Sequence, residues 1–199
     1  MHRSHGFKAS QSFSSPSMNR PQKFELAAPV SAVDHVLGPA HAAVTLVEYG
    51  DFECPNCKQA APVCDLMLKR FAGRLRLVYR HFPLEEVHPH ALLAAEAAEA
   101  AAAQGKFWEM HDSLFAHQHD LQLPHLRELA RELGLDMRRF STDLSDHVYL
   151  RLVRAHEESG RASGARATPT FFINGRICDV SYGVQTLERS IDAALKALP

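Results

Sequence analysis

Residues 52–57 read Phe-Glu-Cys-Pro-Asn-Cys and place two cysteines three positions apart. The apolar, β-branched stretch 44–49 comes shortly before them and predicts a buried strand. Pro55 is well tolerated in a first helical turn, and apolar residues recur at helical spacing from there to Arg70. A Cys-x-x-Cys pair at the start of a helix, directly after a strand, is typical of a redox motif.

The sequence that follows extends this unit. Residues 75–79 are apolar except for Arg76 and lie between Arg74 and Arg80, a pattern that predicts a second strand, parallel to the first because a helix joins the two. Asn174-Gly175 is the strongest short signal for a hairpin. The other predicted elements are a helical block (88–160), the two hairpin strands (170–173 and 176–180) and a final helix (184–198). The predicted order is thus strand, helix, strand, helical block, hairpin and helix.

Composition restricts the class of protein. The chain has 199 residues, 46% hydrophobic and 23% charged, which is the composition of a globular protein. The 22 Lys and Arg against 23 Asp and Glu give a net charge of -1, which argues against a nucleic-acid binder with a broad basic surface. The most apolar long segment, 91–103, contains two glutamates and falls short of the about 18 apolar residues of a membrane span. We therefore expect no nucleic-acid and no membrane partner.

The N-terminal residues predict an extension rather than part of the fold. Residues 1–24 contain six serines and four Lys or Arg, but no acidic residue and no apolar core of the about 7–15 residues that a secretory signal needs. We predict a disordered extension over residues 1–28. With Met1 as the start we expect a cytoplasmic protein, whereas an incomplete start would allow a periplasmic or exported one.

The spacing of Cys54 and Cys57 gives the two thiols different roles. Residues three apart on a helix have Cα atoms about 5 Å apart, within the range of a disulfide. Cys54 comes first and lies near the free amide groups and the positive end of the helix dipole, which stabilise a thiolate and lower its pKa. Cys54 is therefore the candidate nucleophile, and the more shielded Cys57 is the candidate resolving thiol.

A zinc half-site is the competing interpretation of this spacing, because Cys-x-x-Cys also binds metal. A structural zinc site needs a second pair of ligands, but Cys64 and Cys178 are single and the close His pairs do not have the usual spacing. Cys64 lies about 10 Å along the helix from Cys57, beyond the about 7 Å limit for a bridge. We interpret Cys64 as a buried apolar residue and Cys178 as structural, and we expect no metal and no cofactor.

Two further positions near the motif are unusual. Glu48 lies in an otherwise apolar strand, six residues before Cys54, and a buried carboxylate is costly unless it is neutral or paired. It is either a base that deprotonates Cys57 or a solvent-facing edge residue, and the pattern favours neither. Thr168-Pro169 precedes the first hairpin strand, where an X-Pro bond can be cis, although spacing alone does not predict the cis form.

Four blocks of sequence, in order, resemble the DsbA-like branch of the thioredoxin superfamily. They read DHVLGP (34–39), EYGDFECPNC (48–57), GKFWEMH (105–111) and ATPTFFING (167–175). The resemblance covers nearly all of the chain from about residue 30 and implies an α/β fold, the thioredoxin fold with an inserted all-helical subdomain. It divides the chain into a thioredoxin-like domain (29–85 and 161–199) and a helical insertion (86–160).

The resemblance also implies roles for the residues of the motif. Cys54 matches the family's nucleophile, Cys57 its resolving cysteine and Glu48 its buried acid. Pro55 and Asn56 occupy the dipeptide that tunes thiolate stability, and the resemblance makes them, with Thr168 and Pro169, the candidate substrate-binding residues. Because Pro-Asn departs from the Pro-His of the periplasmic oxidase, strong oxidising power does not follow from the resemblance.

The second implied site is the segment before the hairpin. Pro169 matches the family's cis-proline beside the disulfide. Thr168 matches the residue whose backbone pairs with a bound peptide, so it is a candidate for substrate contact.

We therefore predict a thiol–disulfide oxidoreductase that acts on protein or peptide disulfides, with its direction, oxidase or reductase, left open. Its predicted partners are protein or peptide thiols and disulfides, and a redox partner that the sequence does not identify. The alternative from another class is a peptide-binding or chaperone-like module of thioredoxin fold with regulatory cysteines. Isomerase and glutathione-transferase relatives share the fold but typically lack the second cysteine, so Cys57 argues against that class.

Overall fold

The computed structural model describes residues 25–180, 183 and 185–197. Its sheet has five strands in the order β1-β3-β2-β4-β5, namely β1 (His35–Leu37), β2 (Val44–Gly50), β3 (Leu75–His81), β4 (Thr170–Ile173) and β5 (Arg176–Cys178). The helices are α1 (Pro55–Arg70), α2 (Ala91–Ala102), α3 (Phe107–Ala116), α4 (Leu123–Glu132), α5 (Met137–Ser145), α6 (Leu150–Ala162) and α7 (Thr186–Lys196). This order confirms the predicted α/β class, and α2 to α6 lie between β3 and β4.

The sheet is mixed, with β2 at its centre. β2 is parallel to β3, with α1 between them, and antiparallel to β4, so the predicted strand–helix–strand unit is confirmed. The predicted hairpin is also confirmed, since β4 and β5 are antiparallel and Asn174 and Gly175 have φ values of 47° and 81°. A two-residue turn of this hand needs positive φ at both positions, which Asn and Gly tolerate best.

The side chains of β2 alternate between the two faces of the sheet and pack against different elements on each face. Val44 and Leu46 pack in one cluster with residues of α1 and α7, whereas Val47 and Tyr49 pack in a different cluster on the opposite face. Glu48 follows Val44 and Leu46 in this alternation. It therefore points to the face that α1 covers, where its carboxyl contacts Cys64.

The helices between β3 and β4 form their own core, and this core reaches the motif. Alanines of α2 pack against Phe107, Met110 and Leu114 of α3. The same cluster includes Phe52, Cys54 and Cys57, so the helical block contacts the redox motif through apolar side chains. Of the helices described, none is long and apolar enough to cross a membrane.

The structure adds a strand that the sequence did not predict. β1 has three residues and pairs antiparallel with β3. Three residues are too few for alternation to show, and Gly38 follows at once with φ 99°, which ends the strand. The sequence of β1 alone therefore does not predict a strand, and its pairing with β3 is what defines it.

The predicted extension 1–28 reaches four residues into the described part of the chain. Glu25 forms a β-bridge with Arg176, and the Leu26 N–H donates to the Gly175 carbonyl at 2.8 Å. Arg80 is buried, pairs with Asp34 and donates to the carbonyl of Ala28. Residues 25–28 therefore belong to the folded part, and residues 1–24 lie outside the described residues, as do positions 184 and 198 at the limits of the predicted final helix.

Candidate active site

Cys54 lies where the chain passes from β2 into α1. It is the residue before the first helical position, with an extended backbone (φ -76°, ψ 121°). Its carbonyl accepts hydrogen bonds from the N–H of Cys57 at 3.1 Å and from that of Lys58 at 3.2 Å. Pro55 takes the first helical position, where a missing N–H removes no helical hydrogen bond. The local sequence thus places the Cys54 side chain at the N-terminus of α1.

The two thiols of the motif differ in their pKa. A hydrogen bond from Cys57, above all, and the backbone N–H groups of Cys57 and Asn56 stabilise the Cys54 thiolate and lower the pKa of Cys54 to about 5, although burial acts in the opposite direction. Burial first, then the hydrogen bond with Cys54 and the charge of Glu48, raise the pKa of Cys57 well above its ordinary value. At neutral pH Cys54 is therefore mainly a thiolate, while Cys57 keeps its proton.

Thr168 and Pro169 face the Cys54 thiol from the start of β4. Cys54 Sγ lies 3.3 Å from the Thr168 carbonyl oxygen, and the Thr168–Pro169 peptide bond is cis. The Thr168 side chain is buried and contributes to the lowered pKa of Cys54. The fold therefore brings this segment, 114 residues away along the chain, to the cysteine pair.

A groove of about 610 Å³ opens beside this contact. Asn56, Thr168 and Pro169 line it together with Cys178 of β5. Pro55 is exposed at the start of α1 and does not belong to this lining. Three of the four predicted substrate-contact residues thus share one surface, and Cys178 joins them although the sequence indicated only a structural role for it.

Asp51 fixes the loop in front of the cysteines, although its role was not predicted from the sequence. Its carboxylate accepts hydrogen bonds from the backbone N–H groups of Glu53 (2.8 Å) and Leu84 (2.9 Å) and contacts Nδ1 of His88 at 2.8 Å. Its own N–H donates to Cys57 Sγ at 3.5 Å. An Asp directly after a strand commonly bonds the backbone of a turn, and this is the signal that could have found it.

Gln118 holds the same loop from the helical block. Its amide nitrogen donates to the carbonyl of Phe52 at 2.8 Å and to that of Cys54 at 2.9 Å. Gln118 lies between α3 and α4, 64 residues from Cys54, and no local pattern marks it.

Glu48 is buried below α1, with 2% of its surface exposed. Its Oε2 accepts a hydrogen bond from Cys64 Sγ at 3.7 Å, and Oε1 has no partner among the described residues. Burial raises the pKa of Glu48 to about 8, with an opposing effect of the Cys64 hydrogen bond and a smaller upward effect of the Cys54 charge. The interpretation of Glu48 as a solvent-facing edge residue is therefore wrong, because β2 is the central strand and α1 covers this face.

Cys64 is buried as predicted, but its thiol is more than an apolar group. Burial, followed by the charge of Glu48, raises the pKa of Cys64 well above its ordinary value, so the thiol keeps its proton. It is therefore a permanent hydrogen-bond donor to the Glu48 carboxyl.

One group within the described residues brings three potential metal ligands together, and it does not include the cysteines. His35, His81 and Glu99 lie where β1 and β3 meet α2, with ligand atoms within 4.8 Å of one another. The Nε2 atoms of His35 and His81 lie 2.8 Å and 2.7 Å from the same oxygen, Oε1 of Glu99. Each imidazole thus uses Nε2 for a hydrogen bond to Glu99, so the three groups form one hydrogen-bonded cluster.

Sequence comparison identifies a family and a set of larger relatives. Residues 31–193 match the family model described as Thioredoxin. The chain is 47% identical over 161 residues to the Na(+)/H(+) antiporter NhaA 1 of Salinispora arenicola, a match that covers 81% of this chain and 24% of that protein. The chain thus spans about a quarter of the length of the curated relatives it matches.

Solved structures share the fold. A thioredoxin-like oxidoreductase from Silicibacter pomeroyi has a TM-score of 0.71 at 28% identity, covering 83% of this chain and 94% of that one. Alpha-DsbA1 from Wolbachia pipientis has a TM-score of 0.73 at 19% identity, covering 85% and 96%. These likenesses confirm the predicted thioredoxin fold with a helical insertion.

Proposed function

The chain belongs to the thioredoxin family, and we propose that it is a thiol–disulfide oxidoreductase acting on protein or peptide disulfides through Cys54 and Cys57. One arrangement carries the proposal: Cys54 lies at the N-terminus of α1, 3.3 Å from the Thr168 carbonyl, with Cys57 one turn later. In keeping with it, the pKa of Cys54 is lowered to about 5 and that of Cys57 is raised. The thiolate is the reactive form of cysteine. The site therefore has a nucleophile ready at neutral pH and a second thiol that stays protonated until it is needed.

The exchange proceeds in two balanced steps. In the reductive direction the Cys54 thiolate attacks one sulfur of a substrate disulfide, a new S–S bond forms, and the other substrate sulfur leaves as a thiolate. Cys57 then loses its proton and attacks Cys54 Sγ, which releases the second substrate sulfur and leaves a Cys54–Cys57 disulfide. Two electrons pass from the motif to the substrate, and the reverse sequence oxidises a substrate dithiol.

Glu48 serves this second step as the proton acceptor for Cys57. Support comes from its complete burial below α1, its pKa of about 8, and the effect of its charge on the pKa of Cys57. A carboxyl with a pKa near the working pH can both accept and return a proton.

The groove beside Thr168 and Pro169 is the proposed binding site for an extended segment of the substrate. It starts at Asn56, next to the nucleophile, and ends on the hairpin strand β5. Asn56 also supplies a backbone N–H that stabilises the Cys54 thiolate, so substrate binding and thiolate stability share this position. Pro55 sets the start of the helix that presents this N–H.

The direction of the reaction depends on how strongly the reduced form is stabilised. Whatever stabilises the Cys54 thiolate makes the disulfide a stronger oxidant. Thioredoxin and DsbA have nucleophile pKa values of about 7 and about 3.5 and potentials of about -270 and about -120 mV. With a Cys54 pKa of about 5, we expect a potential between these two values.

A titration against a graded glutathione redox buffer tests the proposal. We expect one two-electron transition between the two reference potentials. Cys54→Ser should abolish disulfide exchange, and the matched substitution one turn later, Cys57→Ser, should instead accumulate mixed disulfides. Substantial turnover by the Cys54→Ser variant would contradict the mechanism.

The groove also favours a second candidate, a peptide-binding or chaperone-like module that works without turnover. Its lining includes the apolar residues Ile177 and Val180, and Ile177 is exposed. Such a module would bind unfolded peptides equally well before and after Cys54→Ser. The oxidoreductase proposal requires that the same substitution removes exchange activity.

A further inference from the structure

We propose that Cys64 is a positioning residue for proton transfer at Cys57: its thiol holds Oε2 of Glu48, which leaves Oε1 as the oxygen that exchanges a proton with Cys57. The inference rests on the proposed function, because it concerns the resolving step. Two observations carry it, the hydrogen bond between Cys64 and Glu48 and the unpartnered second oxygen of this buried carboxyl in the described part of the chain.

Helix geometry places the three groups together. Cys57 and Cys64 lie on the same face of α1, because seven residues make nearly two turns of an α-helix. Glu48 points to this face from β2, in register with Tyr79 of β3 and Phe171 of β4. Its carboxyl contacts Cys64 and lies near enough to Cys57 for its charge to raise the pKa of that thiol.

Among the groups around Glu48, Cys64 is the hydrogen-bond donor that orients the carboxyl. The titratable groups facing the carboxyl are Cys54 just before α1, Cys57 and Cys64 of α1, and Tyr79 of β3. The remaining side chains of the cluster from β4 and α7 are apolar, namely Phe171, Ile173, Leu187 and Ile191. No ion pair to Glu48 occurs in the described residues. The hydrogen bond from Cys64 is therefore the polar contact that distinguishes one carboxyl oxygen from the other.

A single S–H can serve only one oxygen, and this fixes where the acid carries its own proton. Cys64 stays protonated because its pKa is raised well above the ordinary value, so Oε2 remains an acceptor. When Glu48 is neutral, its proton is consequently on Oε1. That oxygen has no other partner in the described part of the chain, so it is free to act on Cys57.

Protons and electrons balance in both directions of exchange. In the reductive direction, the ionised Oε1 of Glu48 takes the proton of Cys57, and the new thiolate attacks Cys54 of the mixed disulfide. In the oxidative direction, a substrate thiolate attacks Cys54, the Cys54–Cys57 bond breaks, and Cys57 leaves with the electron pair and takes the proton from Oε1. Cys64 keeps its proton throughout.

Two substitutions distinguish the effect of losing the hydrogen-bond donor of Cys64 from the effect of changing its side-chain volume. Cys64→Val keeps an apolar group of similar size but lacks a donor, whereas Cys64→Ser keeps a donor on a smaller side chain. A mixed disulfide of Cys54 with glutathione is prepared for each, and the release of glutathione by Cys57 is followed from pH 5 to 10. The wild-type rate should rise with a midpoint near the Glu48 pKa of about 8.

We expect Cys64→Val to move this midpoint upward by about half a pH unit or more and to slow release at pH 7 at least about threefold, because the lost hydrogen bond favoured the ionised acid. Cys64→Ser should stay near the wild-type midpoint. Infrared difference spectra give a second readout without turnover. The carboxyl band that disappears in Glu48→Gln should shift to higher frequency in Cys64→Val, and a purely structural role would leave it in place.

The outcomes distinguish this inference from the proposed function. If the wild-type mixed disulfide releases no glutathione at any pH, the oxidoreductase proposal itself fails. If wild-type release occurs and Cys64→Val shows the same pH profile and the same carboxyl band, only the role of Cys64 is overturned. Should the Val variant not fold, Cys64→Ala removes the donor without adding volume and is subject to the same comparison.

Discussion

Glu48 and Glu99 are both buried glutamates, with 2% and 3% of their surface exposed, yet their pKa values move in opposite directions. Burial raises the pKa of Glu48 to about 8, because a single thiol is its hydrogen-bond donor. Burial also acts on Glu99, but two imidazoles, His35 and His81, bond the same oxygen and hold its pKa below the ordinary value. Burial alone therefore does not determine whether a carboxyl is charged. The number and kind of its hydrogen-bond donors determine it.

The two carboxyls serve different parts of the molecule. Glu99 stays ionised and joins α2 to β1 and β3, so it is a cross-link between the sheet and the helical block. Glu48 stays neutral near pH 7 and lies below the cysteine pair, so it can hold and release a proton. The same substitution, Glu to Gln, should consequently have opposite effects at the two positions, and this contrast can be tested directly.

The largest effect is expected at the cross-link. Glu99→Gln should lower the free energy of unfolding at pH 7 by about 3–5 kcal/mol, because it removes the buried charge that the buried His81 and the partly buried His35 share. Urea unfolding followed by circular dichroism measures this loss. The exchange rate of the folded fraction should stay within about twofold of wild type.

Glu96→Gln is the matched control for this prediction. Glu96 lies one turn earlier on α2 and is also buried, but its partner is the single, largely exposed His147. Its replacement should cost clearly less than that of Glu99. If both substitutions lowered the free energy of unfolding equally, the two hydrogen bonds to one oxygen of Glu99 would contribute no more than the single contact of Glu96.

At Glu48 the same substitution should change the pH dependence of stability. Unfolded glutamate ionises near its ordinary pKa of 4.5, while the pKa of folded Glu48 is about 8. Between these values the unfolded state loses a proton that the folded state keeps, so wild-type stability falls as pH rises. The free energy of unfolding of Glu48→Gln, relative to wild type, should therefore rise by about 3 kcal/mol from pH 5 to 8.

The control here is an exposed acid on the helical block. Glu109 is about half exposed, and its neighbour Lys106 lowers its pKa, so it titrates below this pH range. Glu109→Gln should give a difference from wild type that does not change between pH 5 and 8. A flat difference for Glu48→Gln as well would show that the buried carboxyl is already ionised at pH 5, and the contrast with Glu99 would disappear.

Local patterns in the sequence identified the redox motif but not the polar contacts that surround it. Cys54, Cys57 and the Asn174-Gly175 turn are recognisable because their residue types and spacing are themselves the signal. Glu48 was selected for a similar reason, as a charge in an apolar strand. Periodicity shows which face of an element is buried, but not which donor lies across that face.

The contacts missed by the sequence are those between distant segments. His35 and Glu99 are 64 residues apart, as are Gln118 and Cys54. Nothing in either local stretch specifies the partner, since both depend on how the helical block docks on the sheet. Cys64 was correctly predicted to be buried, yet its role as a donor depends on Glu48, 16 residues away on another element.

The smallest predicted effect concerns the boundary of the two regions. Gln118 belongs to the helical block and donates to the carbonyls of Phe52 and Cys54, so it could transmit changes from one region to the other. The Cys54 carbonyl also accepts from two N–H groups of α1 and remains bonded without Gln118. We therefore expect Gln118→Ala to lower the free energy of unfolding by about 1 kcal/mol and to leave the pKa of Cys54 at about 5. Thiolate absorbance against pH measures the pKa, and the exposed Gln122, at the start of α4, gives a matched Ala control without such bonds in the described residues. A clear rise of the Cys54 pKa in Gln118→Ala alone would show that the helical block helps to set the reactivity of the nucleophile, and that the two regions are coupled.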